Sequence, residues 1–145
     1  LHLLLAMAQQ TGARLHLSRI SSGAAAQQIR AAKRHGMNVS ADVAIGNLLF
    51  IDESIGMYRS QFHVTPVLRS AKDCDELREA VLDGTFDAIC SNHHPQPQDA
   101  KLAPFPQTEP GMAVWDRWQE FIDQLLKVDG FTADVLDQKT AFMPT

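Results

Sequence analysis

The segment Phe86-Asp87-Ala88-Ile89-Cys90-Ser91-Asn92-His93-His94-Pro95-Gln96 carries the side chains of this 145-residue chain best suited to chemistry. An apolar run ends at Ser91, and polar residue types that could move protons or hold a metal follow at once. In a parallel α/β protein this is where active sites sit, at the carboxyl ends of the strands. The residues present suit that chemistry poorly. Asn92 cannot serve as a general base, and its amide is a poor ligand for a dication. His93 and His94 are adjacent, so in an extended chain they point to opposite sides and cannot readily chelate one ion. They read as ordinary loop histidines. His16 reads as a hydrogen-bonded interior side chain, the alternative being a ligand. The sequence offers no HxH pair from which another metal centre could be built.

Strand and helix signals alternate around this loop. Arg14 to Ile20 reads as a strand, with Leu15 and Leu17 on one side and His16 and Ser18 on the other. Ser21 or Ser22 can cap the following helix, whose Ala25, Ile29 and Ala32 fall on one stripe. That helix carries Arg30, Lys33 and Arg34 toward its end and stops at Gly36. Asn38 to Ala44 is the second strand, Gly46 to Gln61 mostly connecting structure, and Phe62 to Pro66 a short extended piece. Asp73 to Leu82 is a helix with Cys74, Leu77, Ala80 and Val81 inward, closed by Asp83-Gly84. Phe86 to Ser91 is the third strand. Pro95, Pro97, Pro104, Pro106 and Pro110 forbid helix and central strand alike, so the chain to Gly111 is a shaped loop. Ala113 to Lys127 returns to helix, with Val114, Trp118, Phe121, Ile122 and Leu125 on one face. Asp134 to Gln138 is a last short helix before Pro144.

Alternating strands and helices imply a parallel sheet with helical crossovers. Three strands do not close a barrel, whereas eight do. Leu1 to Gln10 is an apolar helix stopped by Thr11-Gly12, with no initiator Met before it. Residues 1–145 are therefore expected to be a single partial α/β domain, the last three β/α units of a larger barrel.

Five segments, in order, resemble the dihydroorotases, zinc amidohydrolases of pyrimidine biosynthesis. Thr11 to Ser22 looks like T-G-A-R-L-H-I-C-H-V-S-T, and Ala31 to Val43 is similar to A-K-x-x-G-x-x-V-T-A-E-V. Val64 to Ser70 resembles M-N-P-P-L-R-S, and Asp83 to Ile89 resembles D-G-T-I-D-A-I. Glu109-Pro110-Gly111-Met112 corresponds to the family's A-P-F-G-I or E-x-P-G-I turn. Phe86 to Gln96 itself resembles the signature I-A-T-D-H-A-P-H. The resemblance implies a (β/α)8 barrel of the metal-dependent hydrolase type.

The departures fall where the family's chemistry would be. The family's zinc-ligating second His of H-I-C-H stands here as Arg19, a guanidinium with no lone pair and a charge that opposes a dication. The Asp that binds metal and shuttles the proton stands as Asn92. The closing His that contacts substrate is Gln96, and the substrate-contacting Asn of N-P-P-L-R is Thr65. The T-P-H-H-L segment has become Ala44-Ile45-Gly46-Asn47-Leu48. Pro110 and Gly111 alone keep the substrate-facing backbone turn. Arg19 reads either as a surface cation or as a stand-in for the metal's charge, paired with carboxylates from strands outside this chain.

The composition, 45% hydrophobic and 21% charged, is that of a globular protein, and a net charge of −4 gives no support to a nucleic-acid or anionic-membrane partner. Cys74 and Cys90 read as reduced thiols of a cytoplasmic protein, with Cys90 in the core. Trp115 and Trp118 read as core or subunit-contact residues. Two functions of different class follow from the resemblance. The first is a non-catalytic dihydroorotase-like subunit without a cofactor, which assembles in a homo- or hetero-oligomer with the aspartate carbamoyltransferase catalytic subunit. The second is an active zinc dihydroorotase interconverting N-carbamoyl-L-aspartate and dihydroorotate. The paired loss at Arg19 and Asn92 favours the first, because the nucleophile of the second depends on the metal.

Overall fold

The alternation around His16 gives the first strand, β1 (Leu15–Ile20), one apolar and one polar face. It pairs in parallel with β2 (Val39–Ala44), which pairs in parallel with β3 (Ala88–Cys90), so the order is β1-β2-β3. The computed structural model describes residues 1–140; Pro144 lies outside them. His16 stands opposite Ser40 and Leu17 opposite Ala41, after which the register shifts before Ile20 meets Val43. The shift contains Arg19, whose φ is 56°.

Parallel neighbours need crossovers, and helices supply them. Helix α1 (His2–Thr11) precedes β1 and ends at Gly12, left-handed at φ 67°. Between β1 and β2 runs α2 (Gly23–Arg34), where Ser22 Oγ accepts the Ala25 N–H at 3.3 Å. A short α3 (Ile45–Leu49) follows β2, and α4 (Ala71–Leu82) leads to β3, with Ser70 Oγ accepting the Asp73 N–H at 3.2 Å. Helices α5 (Trp118–Leu125) and α6 (Ala133–Thr140) complete the described chain. Leu17, Ala41, Val43 and Ile89 turn one face of the sheet toward Ile29, Leu77, Val81, Phe86, Phe121 and Leu125, and this is the core. The opposite face carries His16, Ser18, Ser40 and Asp42, which hydrogen-bond one another.

Several sequence expectations need correction. Ala26, not Ala25, completes the buried stripe of α2 with Ile29 and Ala32. The extended piece expected from Phe62 begins one residue later, at His63: Ser60–Phe62 is a 3-10 turn, closed by the His63 N–H donating to Ser60 O. The third strand is shorter than expected because Phe86 N–H donates back to Ala80 O and its ring is buried in the core. The helix expected from Ala113 begins at Trp118, because the Val114 and Trp115 N–H groups turn to His93 Nδ1 at 2.9 and 3.1 Å. Cys90 is only partly buried. Among the described residues, no helix is long and apolar enough to cross a membrane.

Candidate functional site

At the carboxyl ends of β1 and β3, two residues that are not glycine take left-handed backbone: Arg19 at φ 56° and Asn92 at φ 48°. Such conformations cost energy and persist where surrounding bonds enforce them. Arg19 is enforced by Asp42, whose Oδ1 accepts the Arg19 backbone N–H at 2.7 Å. The two side chains then meet, Arg19 Nη1 donating to Asn92 Oδ1 at 3.3 Å. Asn92 Nδ2 donates to Thr65 O at 3.1 Å, which fixes the amide with its oxygen toward the guanidinium. Thr65 thus meets the site through its backbone carbonyl.

Gln96, Pro110 and Gly111 form a separate group. Gln96 Nε2 donates to Pro110 O at 3.0 Å, and the Gly111 N–H donates to His63 O at 2.8 Å. Gly111 has φ 149°, and a Cβ there would overlap the His94 carbonyl oxygen. His94 N–H donating to Met112 O at 2.9 Å ties this group to the loop after β3. Lys101 clasps the same loop, donating to the carbonyls of Glu109 at 2.7 Å, Ser60 at 3.1 Å and His63 at 3.4 Å. Burial lowers its pKa below the usual lysine value. His93 Nδ1 accepts two backbone N–H groups, so Nε2 carries the proton of the neutral ring and neither nitrogen offers a free lone pair.

Asp42, which the motifs do not mark as a site residue, anchors the Arg19 backbone from the second strand. The visible signal was a carboxylate within the apolar strand Val39–Ala44. It is 7% exposed and accepts His16 Nε2–H at 2.9 Å and Ser18 O–H at 3.0 Å on Oδ2. Burial pushes its pKa up, but the hydrogen bonds from Arg19 N–H, His16, Cys90 and Ser18 outweigh it and hold the carboxyl below its ordinary value. Because Asp42 accepts from Nε2, the neutral His16 ring accepts the Ser40 O–H on Nδ1, at 2.8 Å. The Cys90 thiol is pushed up to about 12, first by burial and then by the Asp42 charge, so it stays protonated at neutral pH.

A zinc centre needs several convergent lone pairs. Arg19 offers none, the Asn92 oxygen faces a cation, and both Asp42 oxygens already accept N–H or O–H donors. Among the described residues, no group of three or more His, Cys, Asp or Glu side chains could hold a metal. The residues of this segment do not fit the ion. The void beside Asn92, lined also by Asn47, Met112 and Val114, is ≈ 10 Å³, room for one water at most. A wider cleft of ≈ 320 Å³ lies between α1 and α2, away from these residues.

No protein-family model matches the chain. It is 49% identical over 109 residues to a dihydroorotase-like protein of Pseudomonas putida, covering 75% of this chain and 26% of that protein. It is 36% identical over 121 residues to a dihydroorotase of Pelotomaculum thermopropionicum, covering 80% of this chain and 28% of the relative. In three dimensions it is similar to the L-hydantoinase (dihydropyrimidinase) of Arthrobacter aurescens, with a TM-score of 0.82 at 18% identity, over 93% of this chain and 31% of the other. The chain thus spans about a quarter of the length of these curated relatives, and its three parallel strands match about a third of a hydantoinase barrel. With the order of its motifs and the parallel sheet both in agreement with that likeness, the chain belongs over these residues to the dihydroorotase family.

Proposed function

We propose that the polypeptide carrying this segment is a non-catalytic dihydroorotase-like protein of pyrimidine biosynthesis, acting in the cytoplasm as a structural partner of the aspartate carbamoyltransferase catalytic subunit. One observation carries the reading: Arg19 and Asn92 hydrogen-bond each other where, by the family resemblance, a metal ligand and the proton-transferring carboxylate would stand. A guanidinium and an amide can neither bind the metal nor take the proton, so both halves of the family's chemistry are lost together. Gln96 and Thr65, at positions the resemblance gives to substrate contact, are engaged through Pro110 O and the Asn92 amide instead. The retained Pro110-Gly111 turn favours a second reading, an active zinc dihydroorotase using ligands from elsewhere in the polypeptide.

Restoring the carboxylate separates the two. Asn92→Asp in the intact polypeptide is expected to give no dihydroorotate turnover, because Arg19 remains and the new carboxylate pairs with it. Turnover by that single variant would overturn the non-catalytic reading. Co-purification with aspartate carbamoyltransferase, and loss of that enzyme's assembly when this polypeptide is omitted, tests the partner.

A further inference from the structure

We propose that residues 97–109, within the loop between β3 and α5, form a strap that opens as a unit of its own, latched by Lys101. Its opening is independent of whether the polypeptide is catalytic. Apolar packing does little to hold this stretch. None of residues 95–111 joins either apolar cluster of the described chain, and of residues 97–109 only Thr108 is buried. The Phe105 ring lies beside His63 and Tyr58, with centroids 4.9 and 5.9 Å away, outside both clusters. Lifting the strap therefore leaves the core packed, and a segment of that kind opens at less than the free energy of global unfolding.

A few polar bonds hold it instead, and Lys101 makes most of them. An ammonium has three donors, and Lys101 Nζ meets three carbonyl oxygens, those of Glu109, Ser60 and His63. Glu109 is the far end of the strap, and its own N–H donates to Ala100 O at 3.2 Å, so this pair closes the strap on itself. Ser60 and His63 lie on the chain between α3 and α4, so the other two bonds fasten the strap down. Among the described residues, one further hydrogen bond reaches it from outside. His63 Nδ1–H donates to Thr108 Oγ1 at 2.7 Å, the Thr108 hydroxyl being spent on Phe105 O at 2.8 Å. Bonds from a charged donor are roughly twice as strong as neutral ones, so the latch is Lys101. The His63 oxygen that it uses also accepts the Gly111 N–H. Opening at Lys101 thus loosens the Pro110-Gly111 turn, and the latch governs where that turn sits.

Hydrogen exchange on the intact polypeptide reads this opening. The amides of Leu102, Thr108 and Glu109 report on the strap, and those of β2 on the core. In the unaltered protein, the strap amides are expected to exchange through an opening nearly insensitive to dilute urea, while β2 amides follow the full urea dependence of unfolding. Lys101→Gln is shorter and uncharged. It is expected to speed strap exchange about tenfold or more and to leave the β2 amides unchanged. A single urea dependence shared by strap and β2 amides would overturn the separate unit, and that measurement needs no variant to fold. Strap exchange unaltered in Lys101→Gln, or an equal acceleration in β2, would overturn the latch.

Discussion

Asp42 joins three elements of the polar sheet face through one carboxylate. His16 and Ser18 of β1 donate to one oxygen and the Arg19 backbone to the other, while Cys90 of β3 lies beside it. Its pKa is lowered in the fold, so its contribution to stability is fully present above the unfolded value, about 3.9. That contribution is lost as the pH falls through the lower folded value. Asp42→Asn is therefore expected to cost about 1–3 kcal/mol at neutral pH, since it removes a charged acceptor from three donors. The gap to the unaltered protein should close in acid. Urea unfolding of the intact polypeptide at neutral and at acid pH measures this, and a gap independent of pH would contradict the charge assigned to Asp42. Residue types at Arg19 and Asn92 were legible in the sequence; their left-handed backbones and mutual hydrogen bond were not. No local pattern predicts φ above zero for an arginine in a strand, because the cause is Asp42, 23 residues further on.

The loop between β3 and α5 shows why some elements were readable and others were not. Ser22 announces its helix because an N-cap is a local bond to a backbone N–H a few residues on, whereas the Ser70 cap went unread and α4 begins at Ala71, two residues before the expected Asp73. The start of α5 is set by His93, 21 residues away from Val114, so apolar periodicity alone placed it too early. The five prolines correctly marked a shaped loop, and the described shape includes two 3-10 turns, Gln98–Lys101 and Phe105–Gln107. Its tightest point is Gly111, held by His63 O and pressed against the His94 carbonyl. Gly111→Ala adds a Cβ to that contact and is expected to destabilise the fold by about 2–4 kcal/mol. Thermal unfolding checks it; an unchanged midpoint would mean that the turn relaxes at no cost.

At the scale of the whole molecule, the sheet has a dry face and a polar one. The dry face is closed by α2, α4 and α5, while on the polar face the His16 side chain keeps 53% of its exposure. Leu3, Leu4 and Met7 of α1 are likewise exposed. Parallel strands with helical crossovers were legible from alternation and caps, and the barrel type from the ordered family motifs. A partner was not legible, because an interface leaves no periodic signature in the chain that forms it. We propose a polypeptide that keeps the dihydroorotase scaffold without its metal chemistry, and zinc content together with dihydroorotate turnover measures this most directly. The measurement is made on the intact polypeptide purified without chelator. No bound zinc and no turnover is the expected result. Stoichiometric zinc with turnover would contradict it, and would mean that a metal centre has been built around Arg19 and Asn92 from other ligands.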